Sequence, residues 1–279
     1  VLRSPYAHAN ILSVDVAAAE AHPGVVCTLT GKEVAEQCDP YMELAPGKAA
    51  GILDYSMAID RARHQGEPVA AVFAETPAIA MDAGQLIEVD YEMLDPVLSG
   101  EQGLEDKVIL HEAAGTNLVW QGVYEYGDVD KAFADASHVV KINRLHFHRF
   151  SSTPLEGNAC VAEWTQQDKI DFFCNNSFVG FAQQLLSPAL RVRSEQIRIR
   201  TEDNGGSFGN KIWNYIYMAI AALGSRKAGG RKVKWSEIRN ESLLAGGHCN
   251  ERTFLDTEVA LDKNGVITDL ALAQPCPIE

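Results

Sequence analysis

The apolar and polar positions of residues 1–98 follow a pattern typical of short strands that alternate with helices. Strict alternation predicts one strand, and continuous apolar runs bounded by turn residues predict buried strands; the predicted strands are Ile11–Val16, Val25–Leu29, Val69–Phe73 and Ile87–Tyr91. Thr76 followed by Pro77 is an N-cap with proline at the first helical position, which predicts a helix that runs to Leu86. The pattern therefore indicates one compact α/β domain over residues 1–98.

Residues 99–117 show no sustained period, are polar and acidic, and contain three glycines, so we interpret them as a linker. The pattern resumes over residues 118–279, which we assign to a second, mixed α/β domain. Its predicted elements are strands at Leu118–Tyr126, His138–Arg149, Asn158–Trp164, Lys169–Cys174, Gln196–Arg200 and Arg231–Glu237, helices at Val129–Ala136, Phe178–Leu190 and Lys211–Lys227, and a hairpin formed by Thr253–Leu261 and Val266–Leu272. A loop is predicted over Cys38–Gly51.

Composition limits the function classes. The chain has 279 residues, 46% of them hydrophobic, and a formal net charge of −14. The length suffices for a buried core in two domains. The acidic balance argues against nucleic-acid binding, which needs a basic face. No apolar run approaches the roughly 20 residues that a membrane span needs. Because Val1 is not methionine and no signal peptide opens the chain, we expect its start to be truncated.

The six cysteines of the chain show no metal-binding spacing. None of them forms a Cys-x-x-Cys pair, and none lies at zinc-ligand spacing from a histidine. Free thiols in a reducing compartment are the expected state, which predicts a cytoplasmic location. Iron–sulfur clusters need clustered cysteines, so any such cluster would belong to another chain.

The strongest chemical signal is the glycine-rich segment Asp203–Lys211, which lies between the strand Gln196–Arg200 and the apolar run Ile212–Leu223. A strand, a glycine loop and a helix in succession can bring backbone N–H groups against an anionic ligand. A Walker A loop is excluded because Ile212, and not serine or threonine, follows Lys211. The adjacent glycines at 205 and 206 exclude the dinucleotide-binding fingerprint. A plain structural turn remains the alternative.

Several sequence blocks together resemble one family. The stretch 204–211 is similar to the GG-x-FG-x-K loop of the molybdenum-binding subunit of the xanthine dehydrogenase/aldehyde oxidase family. The other similar blocks follow in the order that this family has them: Leu2–Ala9, Gln65–Ala70, Val89–Glu92, Gly127–Phe133, Pro154–Glu156 and Val233–Trp235. The branch that these blocks resemble is that of the carbon monoxide dehydrogenase large subunit. The resemblance implies a small hammerhead-like α/β domain followed by the first part of a mixed α/β molybdopterin-binding domain.

The resemblance also implies the site. In this family the pterin holds the molybdenum, no protein side chain ligates the metal, and the glycine loop packs against it. Carried over to this sequence, the cofactor-binding residues are Gly205, Gly206, Ser207, Phe208 and Gly209. An aromatic wall beside the metal is the expected role of Phe208, with a place in the core as the alternative.

The sequence departs from the family at one position near the metal. The family has a glutamine there, and an ungapped count from Phe208 places this position on Ser177. Either Ser177 or Asn176 can take the role, since a hydroxyl or an amide still donates a hydrogen bond. A polar cap on the following helix is the alternative, and the departure puts a standard xanthine- or aldehyde-type site in doubt.

By resemblance, the chain is part of an enzyme that oxidises or hydroxylates an aldehyde, an N-heterocycle or a CO-like substrate with oxygen derived from water. Iron–sulfur clusters and FAD are expected on partner subunits, and the cofactor can carry a cytosine nucleotide. The family's catalytic glutamate is expected beyond Glu279, so residues 1–279 alone are expected to be inactive. The rival hypotheses are a degenerate scaffold that binds no cofactor and a glycine-loop nucleotide-binding protein.

Other polar residues have plainer interpretations. Glu156 is a lone carboxylate after Pro154-Leu155, and we expect it to be a structural hydrogen bonder. His146 and His148 alternate along one strand without a third ligand nearby, which favours a half-exposed strand edge over a metal site. The charged residues Glu237, Arg239 and Glu241 are interpreted as solvated.

Overall fold

The computed structural model describes residues 1–41, 55–119, 121–148, 150–245, 248–249 and 252–273. The helices are α1 Ala17–Glu20, α2 Gly31–Gln37, α3 Pro77–Gly84, α4 Gly100–Leu104, α5 Val129–Ala134, α6 Val179–Ala189, α7 Tyr215–Lys227 and α8 Arg239–Ala245. The strands are β1 Leu2–Arg3, β2 Ala9–Asp15, β3 Val25–Thr30, β4 Arg61–Ala62, β5 Pro68–Ala74, β6 Glu88–Met93, β7 His138–Phe147, β8 Phe150–Ser151, β9 Ala159–Trp164, β10 Ile170–Cys174, β11 Ile197–Arg200, β12 Val233–Ser236, β13 His248–Cys249, β14 Arg252–Leu261 and β15 Ile267–Ala273. Single 3-10 turns lie at Ser194–Gln196 and Asn210–Ile212.

The described residues divide into two compact units that do not follow the order of the chain. One unit comprises 1–41, 55–96 and 151–245, and the other comprises 97–119, 121–148 and 252–273. Residues 151–245 thus belong to the same unit as the N-terminal α/β region, although the sequence analysis assigned them to the second domain. The stretch 99–117, interpreted as a linker, contains α4, whose N-cap Ser99 accepts a hydrogen bond from the Gln102 N–H.

The first unit holds three sheets. Two small sheets have the strand orders β1-β5-β3 and β4-β2-β6, and a four-stranded sheet has the order β11-β10-β9-β12. In the four-stranded sheet β10 is antiparallel to β9 and parallel to β11, so the connection from β10 to β11 crosses over through α6. The parallel pairing places the C-terminal ends of β10 and β11 side by side. The polar segments near Asn176 and Asn204 follow directly after these two ends.

Helix α7 lies at the centre of the unit's core. Ten of its residues are buried, which fits a helix that is apolar on all sides. The same core cluster includes Leu29 of β3 and Phe73 of β5. A Cβ added at Gly224 of α7 would lie 2.0 Å from a ring atom of Phe73, so glycine permits this close approach. The α/β region and the region around α7 therefore share one core.

A buried charge cluster adds to this contact. The guanidinium of Arg3 donates to Glu241 at 3.1 Å and to the Tyr217 hydroxyl at 2.9 Å, and it lies over the Tyr217 ring. Tyr217 in turn stacks on Trp235 with ring centroids 4.2 Å apart. Glu237 is 8% exposed and accepts from the Asn158 N–H at 2.9 Å, and Arg239 donates to two backbone carbonyls. The interpretation of Glu237 and Glu241 as solvated charges is therefore wrong, whereas Arg239 is exposed as expected.

The second unit contains the sheet β15-β14-β7. The predicted hairpin is confirmed, since β14 and β15 pair antiparallel, and β7 pairs with the other side of β14 at the edge of the sheet. His146 bonds Thr253 Oγ1 at 2.9 Å, and its ring packs edge-on against His148. Within the described residues no group of three or more His, Cys, Asp or Glu is placed to hold a metal ion.

Two predicted segments differ from the structure. Residues 121–126, predicted as part of a strand, form none, and Val123 and Tyr126 are more than 80% exposed. Apolar alternation alone does not make a strand where neither a pairing strand nor a core is present among the described residues. The helix predicted to begin at Lys211 begins at Tyr215, after the 3-10 turn. Residues 42–51 of the loop predicted at Cys38–Gly51 lie outside the described residues.

The described cysteine side chains are buried free thiols, at positions 27, 38, 160 and 174. Burial raises the pKa of the Cys38 thiol to about 11 and raises that of Cys160 as well. Such thiols stay protonated near neutral pH and are poor nucleophiles. The side chains of Cys249 and Cys276 lie outside the described residues. Among the described residues, every helix falls short of the length and apolar content needed to cross a bilayer.

One helix start that the sequence analysis missed allows a stability prediction. The Thr30 side chain accepts from the Glu33 N–H, and the Glu33 carboxylate accepts from the Thr30 N–H at 2.9 Å, which is a capping box at the start of α2. Thr30→Ala should lower the free energy of unfolding by about 1 kcal/mol in denaturant titrations. Thr30→Ser keeps the oxygen and should retain most of the stability; equal losses in both variants would contradict the capping role.

Candidate functional site

The glycine loop has an unusual backbone. Gly206 and Gly209 both have φ of +91°, and Phe208 between them has φ of +53°. The left-handed region is natural for glycine but costs a residue with a Cβ about 1–2 kcal/mol. The loop ends in a 3-10 turn, and α7 begins only at Tyr215, so the N-terminus of a long helix does not directly follow the loop. Any anion-binding capacity therefore comes from the loop amides themselves.

Backbone donors are available along the loop. Within the described residues, the N–H groups of Gly206, Ser207, Phe208 and Gly209 donate to no protein acceptor, whereas the Asn210 N–H donates to the Ser207 carbonyl at 3.0 Å. Successive free N–H groups in a loop with alternating backbone handedness form a concave donor set for an anion or a polarised oxygen. The Phe208 side chain is 73% exposed, so its predicted alternative place in the core is wrong.

Other atoms of the protein lie close to the positions that side chains at the first two glycines of the loop would occupy. A Cβ at Gly205 would lie 2.6 Å from the Glu156 Cβ, and a Cβ at Gly206 would lie 3.1 Å from the Phe208 ring. The two adjacent glycines that excluded a dinucleotide-binding loop therefore serve close packing at 205 and a left-handed backbone at 206.

Ser177 lies directly against the loop. Its hydroxyl oxygen is 2.8 Å from that of Ser207, and its N–H donates to the Lys211 carbonyl at 3.1 Å. Ser207 Oγ also accepts from the Lys211 N–H at 3.3 Å. The residue that the ungapped count selected is thus brought to the loop, with its hydroxyl in a pair that retains further hydrogen-bonding capacity.

Asn176 is used differently. It is 1% exposed, its side-chain oxygen accepts from the Phe178 N–H at 2.7 Å, and its amide donates to Asn214 Oδ1 at 2.6 Å. The asparagine therefore holds the start of α6 near the segment that follows the loop. Of the two candidates for the glutamine role, Ser177 is the exposed one.

An open cleft of about 730 Å³ lies beside these residues. The residues that line it are the polar or charged Asn176, Ser177, Arg200, Thr201, Glu202 and Asn204 and the apolar Val179 and Ile199. Thr201 Oγ1 donates to the Asn176 carbonyl and Asn204 Nδ2 donates to the Asn175 carbonyl, so the cleft wall is cross-linked by side chains. The cleft has room for a ligand next to Ser177.

Aromatic side chains that the sequence analysis did not single out are exposed nearby. Phe178 follows Ser177 and stacks on Phe181 with ring centroids 5.5 Å apart, and Trp213 packs edge-on against Phe181. Phe178 and Trp213 are 56% and 51% exposed. The signal for them in the sequence was their position directly after the two polar site segments.

Glu156 and Lys211 form an ion pair beneath the loop. The Lys211 ammonium donates to Glu156 Oε2, and the Gly205 N–H donates to the same oxygen at 2.8 Å. The Lys211 side chain is fully buried, and that of Glu156 is 44% exposed. The hydrogen bond from Lys211 holds the pKa of Glu156 below its usual range, against the opposing effect of desolvation. The expectation that Glu156 is a structural hydrogen bonder is confirmed.

This pKa shift predicts a pH dependence. A carboxyl group whose pKa is lower in the folded than in the unfolded protein stabilises the fold. This stabilisation is complete above the pKa of the unfolded state, about 4.3 for glutamate, and is lost as the pH falls through the pKa of the folded state. The difference in melting temperature between wild type and Glu156→Gln should therefore be constant above about pH 6 and shrink below about pH 4. A difference that grows on acidification would contradict the assignment.

Comparisons with known proteins identify the family of the chain. The family described as "Molybdopterin cofactor-binding domain" matches residues 110–274, and "Aldehyde oxidase and xanthine dehydrogenase, a/b hammerhead domain" matches residues 1–95. The nicotine 6-hydroxylase large subunit of Paenarthrobacter nicotinovorans is 31% identical over 96% of this chain and 33% of its own length. The carbon monoxide dehydrogenase large chain of Afipia carboxidovorans is 29% identical over 99% of this chain and 35% of its own length.

Solved structures show the same likeness. Quinoline 2-oxidoreductase from Pseudomonas putida 86 superposes with a TM-score of 0.87 at 30% identity, covering 98% of this chain and 35% of that one. The chain spans about a third of the length of the curated relatives that it matches. With both the hammerhead and the molybdopterin cofactor-binding domain models matched in order, the chain belongs to the xanthine dehydrogenase/aldehyde oxidase family of molybdenum hydroxylase large subunits.

Proposed function

We propose that this chain supplies the molybdopterin-binding part of an enzyme that hydroxylates or oxidises a small organic substrate with oxygen derived from water. The observation that carries the proposal is the set of four consecutive N–H groups, 206–209, that have no protein acceptor among the described residues. Preorganised amides of this kind stabilise charge on an oxygen atom at little reorganisation cost. When bound, the cofactor supplies the redox-active molybdenum that accepts the two electrons of the oxidation.

We assign the roles of the chain's own residues as follows. Gly206, Ser207, Phe208 and Gly209 present amide donors to the cofactor, and Gly205 fixes the entry to the loop. Ser177 and Ser207 offer hydroxyl groups at one side of this donor set, 2.8 Å from each other. The exposed ring of Phe208 excludes water from one side of the site. Asn176 supports the site from behind, because its side chain is already engaged by Phe178 and Asn214.

The substrate class is proposed from the relatives. Those that match this chain are named for nicotine, quinoline and carbon monoxide. Phe178, Phe208 and Trp213 are exposed aromatic side chains in or beside the site segments, and they favour a flat heteroaromatic substrate over carbon monoxide, since stacking favours large planar rings. Iron–sulfur and FAD subunits as partners, a cytosine dinucleotide form of the cofactor, a catalytic glutamate beyond Glu279 and a cytoplasmic location belong to the same proposal.

The two rival functions would need other features in the loop. A nucleotide-binding loop uses its lysine on phosphate, but the Lys211 ammonium is buried and bound by Glu156. A cofactor-free scaffold has no need for exposed, unbonded loop amides, so the loop disfavours it. The serine in place of the family's glutamine is the one observation that favours it.

Oxygen labelling tests the proposed chemistry. The assembled enzyme that contains this chain is incubated with an N-heteroaromatic substrate, an aldehyde and an artificial electron acceptor in 18O-enriched water. A hydroxylated heteroaromatic product that carries one 18O atom supports the proposal; the aldehyde tests turnover alone, since its carbonyl oxygen exchanges with water. Turnover in which the product oxygen comes from O2 would overturn it, as would a loaded enzyme that oxidises neither class.

A further inference from the structure

We propose that Glu156 is a positioning residue that holds the glycine loop in its ligand-ready conformation through a single carboxylate oxygen. The inference rests on the proposed cofactor-binding function of the loop. Oε2 of Glu156 accepts from the N–H of Gly205, where the loop begins, and from the ammonium of Lys211, where it ends. One atom thus ties together both ends of the segment whose amides are free.

The carboxylate is itself held in place. Arg239 donates to the carbonyls of Pro154 at 2.7 Å and Leu155 at 2.9 Å, immediately before Glu156. On the other side, Asn175 Nδ2 donates to the Gly157 carbonyl at 2.9 Å. A positioning group must have its own conformation fixed by neighbours, and these contacts meet that condition.

The loop needs such an anchor. Three of the four residues from Gly206 to Gly209 have φ between +53° and +91°, and one of them is phenylalanine. A backbone of this kind persists only where surrounding contacts over-determine it. The free N–H groups contribute no hydrogen bonds to its stability, so it depends on the contacts of Ser207 and on the bonds that Glu156 makes at the two ends.

The ion pair also decides which groups meet a ligand. Lys211 has a fully buried side chain, and its charge is matched by Glu156 inside the protein. The loop therefore offers a ligand neutral amide donors and two hydroxyls instead of an ammonium. Removing the Glu156 charge leaves a buried, unpaired cation beneath the loop, which favours loop conformations that open to water.

Amide hydrogen exchange tests the proposal without any cofactor. The bonded amides of the segment are those of Gly205, Asn210 and Lys211. In the assembled enzyme, Glu156→Gln should speed exchange in peptides over 204–211 by at least about tenfold, while peptides in β14 remain unchanged. Equal loop exchange in wild type and variant would overturn the proposal, as would faster exchange spread over the whole chain.

Glu241→Gln is the matched control. Glu241 also binds a buried cation, Arg3 at 3.1 Å, and a backbone N–H, that of Ile238 at 3.1 Å, but it does not touch the loop. It should lower the melting temperature and leave exchange over 204–211 as in wild type. Accelerated loop exchange in this variant would assign the effect to lost stability and not to positioning.

Electron paramagnetic resonance tests whether Glu156 affects the environment of the bound cofactor. In enzyme loaded with molybdenum, the Mo(V) electron paramagnetic resonance spectrum of Glu156→Gln should differ from wild type in g values or line width, and that of Glu241→Gln should not. Identical spectra in all three proteins would overturn the positioning role while the proposed function stands. Wild-type enzyme without molybdenum would instead contradict the proposed function, and hydrogen exchange would still decide the anchoring of the loop.

Discussion

Replacing Gly206 with valine is expected to weaken cofactor binding by about tenfold or more, and so to lower the molybdenum content per polypeptide, while the chain still folds. At φ of +91° a residue with a Cβ costs about 1–2 kcal/mol, and the added atom would lie 3.1 Å from the Phe208 ring. A penalty of about 1.4 kcal/mol on the binding-competent conformation lowers apparent affinity tenfold. Metal analysis of purified protein measures this directly.

Gly265 is a suitable control because it, like Gly206, has a left-handed backbone conformation. It has φ of +79°, and a Cβ there would meet no atom within 4 Å. Gly265→Val should therefore cost similar stability in the β14–β15 hairpin without changing the molybdenum content. If Gly206→Val loads molybdenum as well as Gly265→Val does, the loop amides do not hold the cofactor in the manner proposed.

Replacing Gly31 with alanine is expected to produce the largest loss of stability of any single methyl addition considered, about 3 kcal/mol or more. The added Cβ would lie 1.9 Å from the Ala58 carbonyl oxygen and 2.7 Å from its carbon, so two backbone segments would have to separate. Backbone atoms cannot rotate away as a side chain does. Urea or thermal unfolding of the purified protein should show the loss.

Gly84→Ala is the control for this substitution in the same domain. Gly84 ends α3, its φ is not in the left-handed region, and a Cβ there meets nothing within 4 Å. Alanine is more favourable than glycine in a helix by about 1 kcal/mol, so Gly84→Ala should be as stable as the wild type or slightly more stable. An equal loss in both variants would show that the close contact at Gly31 does not determine the effect.

Local sequence signals predicted those features whose causes are local. The Thr76-Pro77 start of α3 and the β14–β15 hairpin both follow from neighbouring residues, and both are present. The capping box at Thr30 and Glu33 was equally local and was overlooked. The family's order of blocks added the expected site, including Ser177, which the structure brings to Ser207.

Features that depend on distant partners were not predictable in this way. Glu156 binds a lysine 55 positions away, and Glu241 binds an arginine 238 positions away. No periodicity reports such pairs, so a buried and bonded charge looks the same in the sequence as a solvated one. The strand expected near Val123 failed for the same reason, because a strand needs a partner that its own sequence does not specify.

The measurement that tests the account most directly is molybdenum per polypeptide, determined on the assembled enzyme that contains this chain, from a host that loads a known relative. We expect a ratio near one, with Ser177 serving in place of the family's glutamine. No molybdenum in the same host would contradict the proposed function and favour a scaffold that keeps the fold without the cofactor.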